Sequence, residues 1–97
     1  MNYLERIADR IRDRVPNSSM PDGDTRALFL MYALLALAKG QLVTTEDVHD
    51  AWSAWMAIKG EGHPSAVPFS ELTEEIRRQD APFLAAIQSV AAQLEDL

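Results

Sequence analysis

Ninety-seven residues, 47% of them apolar and 25% charged, suffice for one domain with one modest core and exclude a disordered chain. The absence of cysteine removes disulfides and thiolate metal sites. Nine basic against fifteen acidic residues, a formal charge of -6, argue against general nucleic-acid binding, yet a small anionic ligand stays compatible because it needs only two or three local donors.

In chain order, the first segment sets Leu4, Ile7, Ala8, Ile11 and Val15 at spacings of three and four, the stripe of an amphipathic helix from Tyr3 to Val15 that Pro16 ends. Arg6, Arg10 and Arg14 stack along it as an arginine ridge. Met1-Asn2-Tyr3-Leu4-Glu5-Arg6 lacks the uninterrupted apolar stretch of a secretory signal. Asn17 to Asp24 reads as a loop, with Asp22 or Asp24 placed to cap a second helix from Thr25 to Lys39. Ala27 to Ala38 is apolar on every side, which predicts a central, most-buried helix or part of a subunit interface. The run is too short to span a bilayer, so the chain is expected to be cytoplasmic, with no membrane partner.

Gly40 supplies a left-handed C-terminal position, and Thr44 or Thr45 with Glu46 and Asp47 starts a third helix, Thr45 to Lys59. Its apolar stripe is Val48, Ala51, Trp52, Trp55 and Met56. Two glycines and two prolines between Gly60 and Pro68 predict an ordered loop whose Val67 and Phe69 tuck onto the core. Ser70 or Thr73 caps a fourth helix to Arg78, and Asp80 with Pro82 opens a fifth, to Glu95, carrying Phe83, Ile87, Val90, Ala91 and Leu94 inward. The expected fold is all-α: a single compact domain, residues 1–97, of about five helices with an ordered Pro-rich loop and no strand.

For catalysis the inventory is thin. The only histidines are His49 and His63, no nucleophile motif surrounds any serine, and two histidines split by a proline-bearing loop do not match the spacing of common zinc sites. No catalytic residue, metal or cofactor is expected.

Glu46-Asp47-Val48-His49-Asp50-Ala51-Trp52-Ser53-Ala54-Trp55, then His63-Pro64-Ser65-Ala66-Val67-Pro68-Phe69-Ser70-Glu71-Leu72, then Asp80-Ala81-Pro82-Phe83 and Ala86-Ile87 form the segment that stands out. It resembles the ryanodine receptor repeat (RyR-like) domain, with its His-x-x-Trp helix and Val-Pro-aromatic-x-x-Leu loop. The whole chain, including Leu35 to Gly40, is also similar to a family of small actinobacterial and actinophage proteins. The RyR-like resemblance implies recognition of a nucleotide-derived small molecule without turnover, and a phage-encoded copy would be a sponge for a host immune signal.

Two readings of the same residues follow. In one, Trp52, Val67 and Phe69 are core, His49 bonds a loop carbonyl, and the arginine ridge is a solvated face. In the other, a cleft framed by His49, Trp52, Trp55, His63 and Phe69 stacks a base while Arg10 and Arg14, supplied across a homo-oligomer, hold a phosphate. Arg77 and Arg78 form a second basic cluster. The leading expectation is a non-enzymatic module for a small anionic, nucleotide-derived ligand, and the alternative is a protein-interaction or assembly module.

Overall fold

Helix starts in this chain are set by side chains that accept hydrogen bonds from otherwise unpaired first-turn amides. Asn2 accepts from the Glu5 amide at 2.9 Å while the Glu5 carboxylate accepts from the Asn2 amide at 3.3 Å, a reciprocal capping box that opens α1 (Tyr3–Asp13). Thr44 and Asp47 make the same exchange, at 3.2 and 2.9 Å, to open α3 (Thr45–Lys59). Asp24 accepts from the Arg26 amide at 3.0 Å and serves α2 (Arg26–Lys39) from just outside it. Thr73 accepts from the Ile76 amide to start the short α4 (Glu74–Arg78), and α5 (Ala81–Glu95) follows. The computed structural model describes residues 2–95. Met1, Asp96 and Leu97, the ends of the domain expected from the sequence, lie outside the described residues, among which there is no strand.

The helices close around a seam between α2 and α5. Phe29 and Tyr32 of α2 meet edge to face with ring centroids 5.4 Å apart, and Phe83 of α5 lies 6.4 and 5.7 Å from them, a spacing at which aromatic pairs attract beyond their simple burial. Ile7, Ala8 and Ile11 of α1, Val48, Trp55 and Met56 of α3, and Ile87 and Val90 of α5 complete the core. Helix α2 packs against α1, α3 and α5, and α5 also touches α1 and α3. Lys39 at the end of α2 reaches Asp47 in the first turn of α3 at 2.8 Å and ties the two helices together.

The structure corrects several boundaries. Helix α1 stops at Asp13 and not at Val15, because the ring of Pro16 drives the preceding residue out of the helical region. Of the two starts expected for the fourth helix, the structure takes Thr73 and not Ser70: Phe69–Glu71 is a 3-10 turn, and α4 follows. Leu72 takes an extended backbone (φ -82°, ψ 145°), and its buried side chain interrupts the helix. Gly60 ends α3 at φ +74°, the left-handed conformation that glycine adopts without strain. Gly40 also has a positive φ, +58°, but turns the chain into a 3-10 segment, Gly40–Leu42, with ψ -133° and not the left-handed helical value.

A larger correction concerns α2. It is not covered on every side: Leu30, Leu34 and Leu37 are 36, 59 and 46% exposed, and Ala27 and Ala38 on the same face are exposed as well. Leu28, Phe29, Tyr32, Ala33 and Ala36 take the opposite face into the core.

The tryptophans also differ from expectation. Trp55 is buried, 3% exposed, whereas Trp52, expected as the core anchor, is only partly buried. Trp55→Ala should therefore cost about 3 to 5 kcal/mol, and Trp52→Ala roughly half as much because part of its ring is already in water. Paired denaturant titrations check the order, and a larger loss at Trp52 would contradict this packing.

Candidate binding site

The sequence motif around His49 comes together as a cluster. His49 is buried on α3, and its Nε2 stands 2.6 Å from the Val67 carbonyl oxygen, pinning the proline-containing loop to the helix. A carbonyl only accepts, so this bond requires the proton on Nε2. The Ser53 hydroxyl lies 3.4 Å from the same nitrogen, which therefore has no lone pair with which to take the serine proton.

Trp52 stacks on the His49 ring at 5.8 Å, His63 meets Trp52 edge to face at 5.0 Å, and Phe69 lies 6.2 Å from His49. Four of the seven residues expected to line a site thus share one neighbourhood: His49, Trp52, His63 and Phe69. Beside them is a cleft of about 250 Å³ whose walls include Tyr32, His49, Trp52, His63, Asp80 and Phe83. No arginine or lysine lines it.

Trp55, Arg10 and Arg14 stand elsewhere. Trp55 points to the far side of α3, where Lys59 sits over its ring at 4.1 Å. Arg10 and Arg14 are exposed on α1, with the Arg14 guanidinium donating to the Arg10 carbonyl oxygen at 3.2 Å, and neither lines a cleft described here. The reason is helical phase: at 100° per residue Arg6 and Arg10 project away from the buried Ile7, Ala8 and Ile11 stripe, and Arg14 lies just beyond the end of α1.

The arginines that do meet the loop are Arg77 and Arg78, which with Thr45, Phe69, Glu74 and Gln88 line a second cleft of about 470 Å³. Arg77 lies over the Phe69 ring at 4.4 Å and donates from Nη2 to the Phe69 carbonyl oxygen at 3.0 Å. Its Nε is buried with no hydrogen-bond partner among the described residues. Arg78 pairs with Glu74 at 3.5 Å in full solvent. The sequence flagged this pair as basic, but its approach to the loop depends on the break at Leu72, which aims α4 back toward Phe69.

Sequence reasoning did not anticipate a third concavity. A groove of about 950 Å³ runs between α1 and α3 across the N-terminal half of α2, with no residue of α5 in its wall. Ala27, Leu30 and Ile58 give it an apolar lining, and Glu5, Asp9, Arg12, Lys59 and Glu61 give its rims both signs of charge. At its end the Arg26 guanidinium beside Asp24, 3.0 Å away, holds that carboxyl down to about 2. Ile58 is 70% exposed. The signal that could have found this groove is the placing of Ala27 and Leu30 three residues apart at the start of a run that is apolar all round.

Among the described residues no group of three or more histidine, aspartate or glutamate side chains is arranged to hold a metal ion, and no helix is long and apolar enough to cross a membrane.

Asp80 is the titratable group at the His49 cleft whose charge state the fold changes. Burial raises its carboxyl from 3.8 to about 6, against the opposing pull of His49. A carboxyl raised on folding stabilises the fold fully below its unfolded value, and that contribution disappears as pH rises through about 6. Asp80→Asn stays neutral throughout, so its melting temperature should gain on the wild type as pH rises from about 4 to about 7. An offset that is constant across that window would contradict the assignment.

No curated protein and no solved structure matches the chain. Residues 2–92, nearly all of the described helices, match a domain of unknown function, DUF7701. The chain belongs to the DUF7701 family.

Proposed function

We propose that this chain is a non-catalytic protein-interaction module whose working surface is the leucine face of α2. The observation that carries the reading is the exposure of Leu30, Leu34 and Leu37 on one face of a helix whose other face is core. Contiguous apolar surface rimmed by charge marks interaction sites in soluble domains, whereas single exposed leucines do not. The neighbouring groove, with its apolar lining and mixed-charge rims, has the form of surfaces that receive an amphipathic helix. The protonated Nε2 of His49 supports the absence of catalysis, since the histidine closest to a serine hydroxyl is committed to the Val67 carbonyl.

Leu34→Glu replaces a side chain that is 59% exposed in the single chain, so it should change folding stability by no more than about 0.5 kcal/mol. Chemical cross-linking in the native cell, read by quantitative mass spectrometry, should show polypeptides held by the wild type and lost by this variant. Identical cross-linked sets for the two proteins would overturn the reading.

A second reading, a receptor for a small anionic, nucleotide-derived ligand, is favoured by the cleft that brings Arg77 and Arg78 to Phe69. The RyR-like resemblance of the His49 to Leu72 segment points the same way, and a phage-encoded chain would then act as a sponge. This reading places the phosphate contacts on α4 and not on the arginine ridge of α1. Calorimetry with cyclic dinucleotides, cyclic ADP-ribose-type molecules and plain nucleotides should show binding that Arg78→Ala weakens about tenfold, as loss of one charge-assisted contact predicts. Absence of heat at millimolar concentration would remove it.

A further inference from the structure

The uncovered face of α2 has an internal symmetry that names its partner. Ala27, Leu30, Leu34 and Leu37 follow the alternating three-four spacing of a helix-pairing seam, and all four are exposed. Turned end for end, the stripe reproduces itself: Ala27 comes opposite Leu37, and Leu30 opposite Leu34, about a point midway along the helix. Each layer then joins positions of different type, the layer pattern of antiparallel helix pairs, and the small Ala27 leaves room for the larger Leu37. Resting on the interaction reading above, we infer that the occupant of this face is the α2 of a second copy of the chain, packed antiparallel about a two-fold axis.

Charge supports the same partner. Two chains of net charge -6 repel each other over most of their surface. Between Arg26 and Lys39 there is no charged residue at all, so α2 offers an approach without that repulsion. Antiparallel pairing brings the Arg26 end of one helix to the Lys39 end of the other. Each cation is already paired within its own chain, Arg26 with Asp24 at 3.0 Å and Lys39 with Asp47 at 2.8 Å, so the like charges meet neutralised.

Area sets how far the contact must extend. A stable interface buries about 800 Å² per partner, roughly an eighth of the 6028 Å² surface of the chain. A strip along α2, about 21 Å long, supplies only part of that. The remainder must come from flanking surface such as the exposed Ile58 and the rims carrying Glu5, Asp9, Arg12 and Lys59, whose mixed signs suit a copy of themselves.

Sedimentation velocity on the wild-type chain should show a dimer at micromolar concentration. Leu34→Glu should raise the dissociation constant at least about 100-fold with unchanged helicity, because the two-fold axis places two such charges in one interface. A wild-type chain that stays monomeric at about 100 µM, or a dimer that Leu34→Glu does not weaken, would overturn the inference. The cell cross-linking comparison judges the interaction reading separately, since loss of a different polypeptide in the variant would uphold that reading while self-pairing failed. The register has its own test, made clean by the absence of native cysteine. Mixed chains carrying Ala27→Cys and Leu37→Cys should oxidise chiefly to the heterodisulfide. A predominance of homodisulfides, or no disulfide between chains that sediment as dimers, would overturn the antiparallel register.

Discussion

The packing of Phe29 and Tyr32 of α2 against Phe83 of α5 decides which way the central helix faces, and most of the remaining structure follows from that choice. With the aromatic rings inward, Ala33 and Ala36 must line the same face, and their small side chains let neighbouring elements approach closely. Leu30, Leu34 and Leu37 are then carried to the outside by the helical repeat alone. No alternative rotation of α2 improves matters, because turning the leucines inward would bring out two large aromatic rings. The helix is apolar all round, with one face in the core and the other exposed.

A second constraint holds the loop and the short helix in place. The His49 to Val67 bond joins a buried ring to a backbone carbonyl, and it brings Phe69 within reach of Arg77. Arg77 in turn bonds the Phe69 carbonyl, so two side chains from different helices satisfy successive parts of a segment that lacks regular structure. At the start of α3, Asp47 accepts from the Thr44 amide and from Lys39. Although partial burial opposes it, these bonds hold the Asp47 carboxyl below its ordinary range. One carboxylate thus starts α3 and fastens it to the end of α2.

The parts of the fold legible in the sequence are those governed by local chemistry. Thr44 and Thr73 head their helices because a short polar side chain there satisfies free amides. Gly60 closes α3 by its left-handed backbone, and the spacing of Ile7, Ala8 and Ile11 names the inner face of α1. What was not legible depends on rotation about a helix axis. Trp52 and Trp55 both belong to the apolar stripe of α3, and only the position of α2 decides that Trp55 is the one enclosed. Likewise Arg10 and Arg14 form a real ridge, but whether a ridge meets a cleft depends on where the other helices lie. The choice between Ser70 and Thr73 as the start of α4 was likewise open, since it is decided by the burial of Leu72.

The two candidate surfaces therefore draw on different chemistry within one small domain. The loop, α3 and α4 enclose polar and aromatic groups that hydrogen-bond one another, His49 with Val67, Arg77 Nη2 with Phe69 and the Ser65 amide with His63, while the buried Arg77 Nε has no partner among the described residues. Such groups hold a loop in shape, and a ligand entering there would have to compete with bonds already made. The outer face of α2 has no such commitments. Its side chains lack hydrogen-bonding groups, they already sit on a rigid helix, and ordering them in a complex costs little further entropy. On the interaction reading proposed above, a surface that gains by losing water, and gives up no existing bond to do so, is the one on which association would be most favourable.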